Sequence, residues 1–173
     1  MSHFFQNIDL LTIGVAISAT GILGFVIFIN NRRSITNKTF AVFSLITVFW
    51  AIANYFHYQV SSISLAFWLI KIVIFLAVWH AFTFFQLFYV FPEEKSYFSK
   101  KYKFGLLPLV AITSLINLTP LVFKEVAEVS ADGRISRITN GPGIVLFGAI
   151  IIFLIFGGIF LLIKKTIIAR GED

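Results

Sequence analysis

The stretch ISLAFWLIKIVIFLAVWHAFTFFQLFYVF, residues 63–91, decides the fold class of this chain. Lys71 is the only Asp, Glu, Lys or Arg within it. As a helix the stretch would measure about 43 Å, which exceeds the roughly 30 Å hydrocarbon core of a bilayer. It therefore predicts a transmembrane helix that tilts or projects beyond the hydrocarbon, and Pro92 supplies its stop.

The composition of the whole chain also favours a membrane protein. Of its 173 residues, 58% are hydrophobic and 13% are charged. A soluble domain of this length can bury at most one or two helices that are apolar all round. The chain has no Cys, which excludes disulfides and a cysteine nucleophile. Its net charge of +6 comes from basic runs beside apolar segments, a pattern typical of topology signals rather than of nucleic-acid binding.

Four other apolar runs have the length of a membrane span. The first has no Lys or Arg before it and is too long for the core of a signal peptide, so it is predicted to be a retained span. The predicted spans are residues 8–28, 40–60, 63–91, 104–121 and 144–163. The sequence thus predicts an all-α integral membrane protein, a five-transmembrane-helix bundle that forms one domain over residues 1–173.

Charges in the loops predict the orientation of the bundle. Ten of the 14 basic residues fall on one side of the five predicted spans. These ten are Arg32, Arg33, Lys38, Lys95, Lys100, Lys101, Lys103, Lys164, Lys165 and Arg170. The other side has only Lys124, Arg134 and Arg137, with Lys71 just inside the third span. By the positive-inside rule the N-terminus lies outside and the C-terminus lies in the cytoplasm.

The fourth loop, residues 123–140, differs in kind from the other loops. Val and Ile alternate with polar residues around Asp132 and Gly133, a pair favoured in tight hairpin turns. We expect a small extracellular β-hairpin between spans four and five. The favoured interpretation is a connector between two helices, and the alternative is a lid or ligand-contacting cap over the outer mouth of the bundle.

Polar residues inside predicted spans are costly, and they often serve a function. Measured from the turn at Ser61 and Ser62, Asn54 and Lys71 lie at similar depth on adjacent helices, and His57 lies one turn from Asn54. These three residues are candidates for an outer polar pocket. For Lys71 the favoured alternative is that its long side chain snorkels to the headgroups.

Three more polar residues lie within the spans: His80, Gln86 and Asn117. For His80 we favour an interhelical hydrogen bond over a role as a haem or metal ligand. His57 and His80 differ in depth by roughly 20 Å at helical rise, so they cannot bind one haem between them. The sequence predicts neither a metal nor a cofactor.

The chain lacks the motifs of common catalytic sites. It has no phosphate-binding glycine loop, no HExxH, no clustered Asp and Glu, and no nucleophile elbow. We therefore expect no enzyme activity in this chain. The leading alternative to a sensor is a small transporter or channel subunit, and a membrane enzyme or cytochrome ranks below both.

The segment NRRSITNKTFAVFSLITVFWAIANY, residues 31–55, resembles the N-terminal seven-transmembrane region of bacterial sensor histidine kinases and related signalling proteins. Further similarities follow in order: FFQLFYVFPEEK, TPLVFKEV, GPGIVLF and LLIKK. The resemblance covers nearly the whole chain. The matching positions of the inner-loop motif are Asn31, Arg32, Ser34, Asn37, Phe40 and Trp50.

This resemblance implies a sensory input module of a bacterial two-component system, in the inner (plasma) membrane. Such a module would pass an extracellular or intramembrane stimulus, a small molecule or a lipid, to a cytoplasmic output domain absent from this chain. Family members usually carry two further spans and work as homodimers. The chain departs from them by ending after five predicted spans, as a fragment or a stand-alone membrane piece would. Its expected partners are the bilayer, a cytoplasmic signalling domain or protein, and no nucleic acid.

Overall fold

The computed structural model describes residues 2–93, 98–130 and 135–171, with side chains described from residue 10 to residue 170 within those ranges. The protein is 78% helical. The helices are α1 (Ser2–Asn30), α2 (Ile35–Gln59), α3 (Ile63–Val90), α4 (Leu107–Ile116) and α5 (Gly143–Gly171). Two strands, β1 (Phe123–Val129) and β2 (Ile135–Asn140), lie between α4 and α5.

Four of the described helices are long and apolar enough to cross a membrane. They are Leu10–Asn30 of α1, the whole of α2 and α3, and Gly143–Arg170 of α5. These helices confirm that the chain is a multi-pass membrane protein with membrane-length apolar helices. Both α3 and α5 are longer than a perpendicular crossing of the hydrocarbon requires, as the sequence indicated for α3.

The predicted fourth span is shorter than expected. The sequence predicted a span over residues 104–121, but the helix begins with a π-helical turn, Tyr102–Leu106, and ends at Ile116. At 1.5 Å per residue, Tyr102–Ile116 covers only about 22 Å. The chain turns after Ile116, where the N–H of Thr119 donates to the Ile116 carbonyl at 3.0 Å. Pro120 has no N–H with which to continue the helix.

Serine side chains cap the N-termini of α2 and α3. The Ser34 hydroxyl accepts a hydrogen bond from the Asn37 N–H at 3.4 Å, and the Ser62 hydroxyl accepts one from the Leu65 N–H at 3.4 Å. Each bond satisfies a backbone donor that has no partner within the first turn of its helix. With Ser34 as its N-cap, α2 starts at Ile35, five residues before the predicted boundary at residue 40.

Helix α3 is the centre of the bundle. It packs against α2, α4 and α5, whereas α1 packs mainly on α2. Val78 and Phe82 of α3 form the main apolar core with Val110 of α4 and Leu154 of α5. Because α3 contacts most of the other elements, a shift of this helix would displace the helices packed against it.

The two strands form an antiparallel hairpin, as predicted. Phe123 pairs with Asn140 and Val126 pairs with Ile138. Val122 and Phe123, at the base of the hairpin, are buried with Ile74 of α3. The predicted turn residues Asp132 and Gly133 lie outside the described residues.

The two ends of the bundle are called the hairpin end and the loop end. The hairpin end contains the β-hairpin and the α2–α3 link, residues 60–62. The loop end contains the α1–α2 loop, the end of α3 and the C-terminal part of α5.

Candidate functional site

A pocket of about 400 Å³ lies at the hairpin end, between α2, the start of α3 and the hairpin. We call it the hairpin pocket. Its lining residues are His57, Tyr58, Val60, Ala66, Ser130, Ile135 and Ser136. The hairpin is therefore one wall of a pocket.

His57 is held in place at the edge of this pocket. Its Nδ1 lies 3.0 Å from the carbonyl oxygen of Ala66, and its ring meets the Tyr58 ring edge to face with centroids 4.9 Å apart. A carbonyl can only accept, so Nδ1 is the donor in this contact. The bond also ties the last turn of α2 to the first turns of α3.

The chemistry of the lining indicates what the pocket can hold. It combines aromatic and aliphatic surface with the hydroxyls of Ser130, Ser136 and Tyr58, and none of the lining residues that the structure describes is Asp, Glu, Lys or Arg. Such a pocket suits a small, mainly neutral molecule with hydroxyl or amide groups. The sequence did not single out these hydroxyl residues, and the only signal for them was the alternation of the hairpin strands.

The structure places the three residues of the predicted outer pocket in different surroundings. His57 lines the hairpin pocket, whereas Asn54 lines a separate pocket of about 360 Å³ with Thr12 of α1. Lys71 is 5% exposed, and its Nζ lies 4.6 Å from the centre of the Phe67 ring. Residue counting estimated how deep each residue lies along its helix, but it did not show on which side of the helix the residue lies. Residues 66 and 71 are five apart and thus about 140° apart around α3.

The inner-loop motif braces the α1–α2 connection. The Asn31 side-chain oxygen accepts hydrogen bonds from the N–H groups of Arg33 at 3.1 Å and Ser34 at 3.2 Å. The Asn37 side chain donates to the Ile27 carbonyl at 2.8 Å, which satisfies an acceptor at the end of α1. These contacts give the loop a defined geometry.

The other motif positions are aromatic or stack on aromatic rings. The Arg32 guanidinium lies 5.9 Å from the centre of the Phe28 ring, and the Phe40 ring lies 6.4 Å from that of Phe43. Trp50 stacks on His80 of α3.

The remaining polar residues lie on α3 and at the end of α4. His80 is flanked by the nearly parallel rings of Phe43 and Trp50, both on α2. Asn117 is fully buried and donates to the Ile74 carbonyl at 3.2 Å. Gln86 is half-buried on α3. Among the described residues, no group of three or more His, Cys, Asp or Glu side chains could hold a metal ion.

A set of contacts at the loop end joins α2, α3 and α5. Nζ of Lys165 donates to the carbonyls of Tyr89 at 2.8 Å and Phe91 at 2.5 Å, and it lies 3.8 Å from the Glu93 carboxylate. The Thr36 hydroxyl donates to the Glu93 carbonyl at 2.7 Å. We call these contacts the loop-end clamp. A cation is well placed here because the carbonyls at the C-terminus of a helix lack partners and carry partial negative charge.

From the sequence, Lys165 was interpreted only as a topology signal, and the loop-end clamp was not predicted. The signal that could have found it is the basic pair at Lys164 and Lys165 opposite the predicted end of the third span.

A family model described as the N-terminal 7TM region of histidine kinase matches residues 10–172. No curated protein and no solved structure matches.

Proposed function

This chain belongs to the family of N-terminal 7TM regions of histidine kinase, and we propose that it detects a stimulus at its hairpin end and passes it to a cytoplasmic signalling domain or protein at its loop end. The family supports a sensory input region. The stimulus we propose is a small, mainly neutral molecule in the hairpin pocket. The membrane would be the inner membrane of a bacterium.

The distribution of charge supports this orientation. The loop end carries Arg32 and Arg33 in the α1–α2 loop, Lys38 in the first turn of α2, and Lys164 and Lys165 on α5. The described strands of the hairpin carry both signs, with Glu128 3.3 Å from Arg137. A loop end rich in Lys and Arg belongs in the cytoplasm by the positive-inside rule.

The observation that carries the proposal is that α3 connects the hairpin pocket with the loop-end clamp. Ala66, in the first turn of α3, lines the pocket and accepts the hydrogen bond of His57. The last carbonyls of the same helix, starting at Tyr89, are bound by Lys165 of α5. A ligand that shifts the start of α3 would therefore move the acceptors that hold α5, as in helix shifts of about 1–2 Å in other switches.

Pulsed electron spin resonance of the full chain in lipid nanodiscs tests the proposal. The chain has no Cys, so Lys38→Cys and Lys164→Cys provide two unique spin-label sites at the loop end. Ser136→Trp places a bulky side chain in the hairpin pocket, where it mimics an occupied state. We expect the distance between the labels to change by about 1–2 Å or to split into two populations.

Ser61→Trp is the matched control, because Ser61 is exposed in the α2–α3 link and does not line the pocket. It should leave the label distance unchanged. If Ser136→Trp and Ser61→Trp both give the parent distance distribution, filling the pocket does not reach the loop end and the proposal is wrong.

A further inference from the structure

Lys71 of α3 is a buried lysine in the half of the bundle nearer the hairpin end. The residue is 5% exposed, and Nζ lies 4.6 Å from the centre of the Phe67 ring and 5.1 Å from that of the Trp68 ring. Both rings belong to the preceding turn of the same helix. The side chain therefore runs toward the hairpin end, with its ammonium group against two aromatic rings.

Lys71 lies at a seam between the packed face and the exposed face of α3. Phe67 and Ile74 lie about 40–60° to one side of it around the helix, and both belong to the apolar cluster at the base of the hairpin. Trp68 and Ile72 lie about 60–100° to the other side. They are 53% and 39% exposed, so this side of the described bundle is open to lipid.

The ammonium group of Lys71 can be reached from this open side. The fully enclosed side-chain nitrogen and oxygen atoms that lack a hydrogen bond do not include Nζ of Lys71. Within the described part of the chain, the contacts of Nζ are the two ring contacts, with no hydrogen bond and no ion pair. An atom from outside the bundle can therefore contact Nζ beside the exposed Trp68 ring.

The position of Lys71 along α3 sets its depth in a bilayer. Lys71 is eight residues after the start of α3 at Ile63, or about 12 Å along the helix. A helix of about 42 Å centred on about 30 Å of hydrocarbon places the Lys71 Cα roughly 6 Å inside the boundary. Because the side chain runs back toward that boundary, Nζ lies near the level at which acyl chains join the headgroups.

An ammonium group at this level needs an anionic partner. It has three N–H donors and no acceptor, and aromatic faces attract its charge without replacing oxygen acceptors. A charge that is buried without a partner is costly. The anion that a bilayer holds at this level is the lipid phosphate. In a zwitterionic lipid that charge is offset by the lipid's own ammonium group, whereas in phosphatidylglycerol it is not.

We propose that Lys71 and Trp68 form a binding site for one anionic phospholipid of the phosphatidylglycerol type, in the leaflet at the hairpin end. The lipid phosphate accepts hydrogen bonds from Nζ of Lys71, and an acyl chain lies along the exposed side chains of Trp68 and Ile72. The inference rests neither on a ligand in the hairpin pocket nor on which side of the membrane the hairpin end faces.

Quenching of Trp68 fluorescence by brominated lipids tests the site. Trp50→Phe and Trp79→Phe leave Trp68 as the only tryptophan. The full chain is reconstituted in equimolar phosphatidylglycerol and phosphatidylcholine, with bromine near the carboxyl end of the acyl chains of one lipid or the other. Brominated chains quench at contact, so the two signals report which lipid lies beside Trp68. We expect a preference for phosphatidylglycerol of about fivefold, as one charged contact near the membrane surface supports.

Variants of Lys71 identify the group responsible. Lys71→Met keeps the unbranched stem and removes the charge, so the preference should disappear, whereas Lys71→Arg should keep it. Lys124→Met removes the same charge from an exposed position of the hairpin and is the matched control, which should keep the parent preference. In pure phosphatidylcholine, the brominated lipid should quench Trp68 equally in every variant, because the exposed face of α3 is unchanged.

Two results would overturn the proposal. One is equal quenching of the parent by the two brominated lipids, which is expected if Lys71 reaches toward headgroups of any kind. The other is a preference that Lys71→Met retains or that Lys124→Met loses to the same extent.

Discussion

At the scale of single residues, the described bundle depends on a few polar contacts at the ends of helices. The Asn31 and Asn37 side chains satisfy backbone groups around the α1–α2 loop, and Lys165 satisfies carbonyls at the end of α3. Leaving such backbone groups unpaired near a bilayer costs free energy. The few side chains that bind them therefore contribute strongly to the stability of the fold. Lys165 also connects two helices, which makes it the most informative position to change.

Lys165→Met should destabilise the protein by about 1–3 kcal/mol, because two charge-assisted hydrogen bonds are lost, to the carbonyls of Tyr89 in α3 and of Phe91 just after it, while the aliphatic stem is kept. Thermal unfolding in detergent should show a melting temperature several degrees lower. Lys164→Met removes the same charge from the neighbouring exposed position and serves as the control. Equal melting temperatures for the two variants would show that the clamp does not hold α5 to α3.

At the scale of helices and strands, glycines allow the close approaches. A Cβ on Gly24 of α1 would lie 2.5 Å from the Cβ of Ser44 in α2, so only glycine permits this helix–helix distance. A Cβ on Gly141, between the hairpin and α5, would collide with the carbonyl oxygen of Leu121. The hydrogen bond from the Gly141 N–H to the Val122 carbonyl, at 2.8 Å, closes the base of the hairpin at the same place.

Gly24→Leu should separate α1 from α2, because the added side chain has no space beside Ser44. Overpacking of this kind costs about 1–3 kcal/mol. Limited proteolysis in the α1–α2 loop should become faster. Gly14→Leu, where an added Cβ meets nothing within 4 Å, is the matched control, and equal cleavage rates in the two variants would contradict the packing described here.

Gly141→Ala should loosen the base of the hairpin, since the backbone of Leu121 cannot move aside without breaking the turn that follows α4. Hydrogen–deuterium exchange of the β1 and β2 amides should speed up. Gly148→Ala, at an open position of α5, should leave this exchange as it is. Hairpin exchange that is the same in both variants would argue against a tight junction at Gly141.

At the scale of the whole molecule, hydropathy predicted five spans, of which four are membrane-length helices in the described residues, and strand alternation predicted the hairpin. The length of α4 could not be read from hydropathy, because Leu118 and Leu121 continue the apolar run after the helix has ended at Ile116. The candidate site was predicted only in part. Depth follows from residue counting, but the side of the helix on which a residue lies depends on packing, so His57 lines the hairpin pocket while Asn54 and Lys71 lie elsewhere.

The central claim is that the hairpin end receives the stimulus outside the cell and the loop end responds in the cytoplasm. Labelling of single-cysteine variants in intact bacterial spheroplasts with a membrane-impermeant maleimide tests it most directly. Ser61→Cys is exposed at the hairpin end, and Lys100→Cys is exposed between α3 and α4 at the loop end. The account predicts that Ser61→Cys is labelled in intact cells and Lys100→Cys only after permeabilisation; the reverse pattern would contradict it.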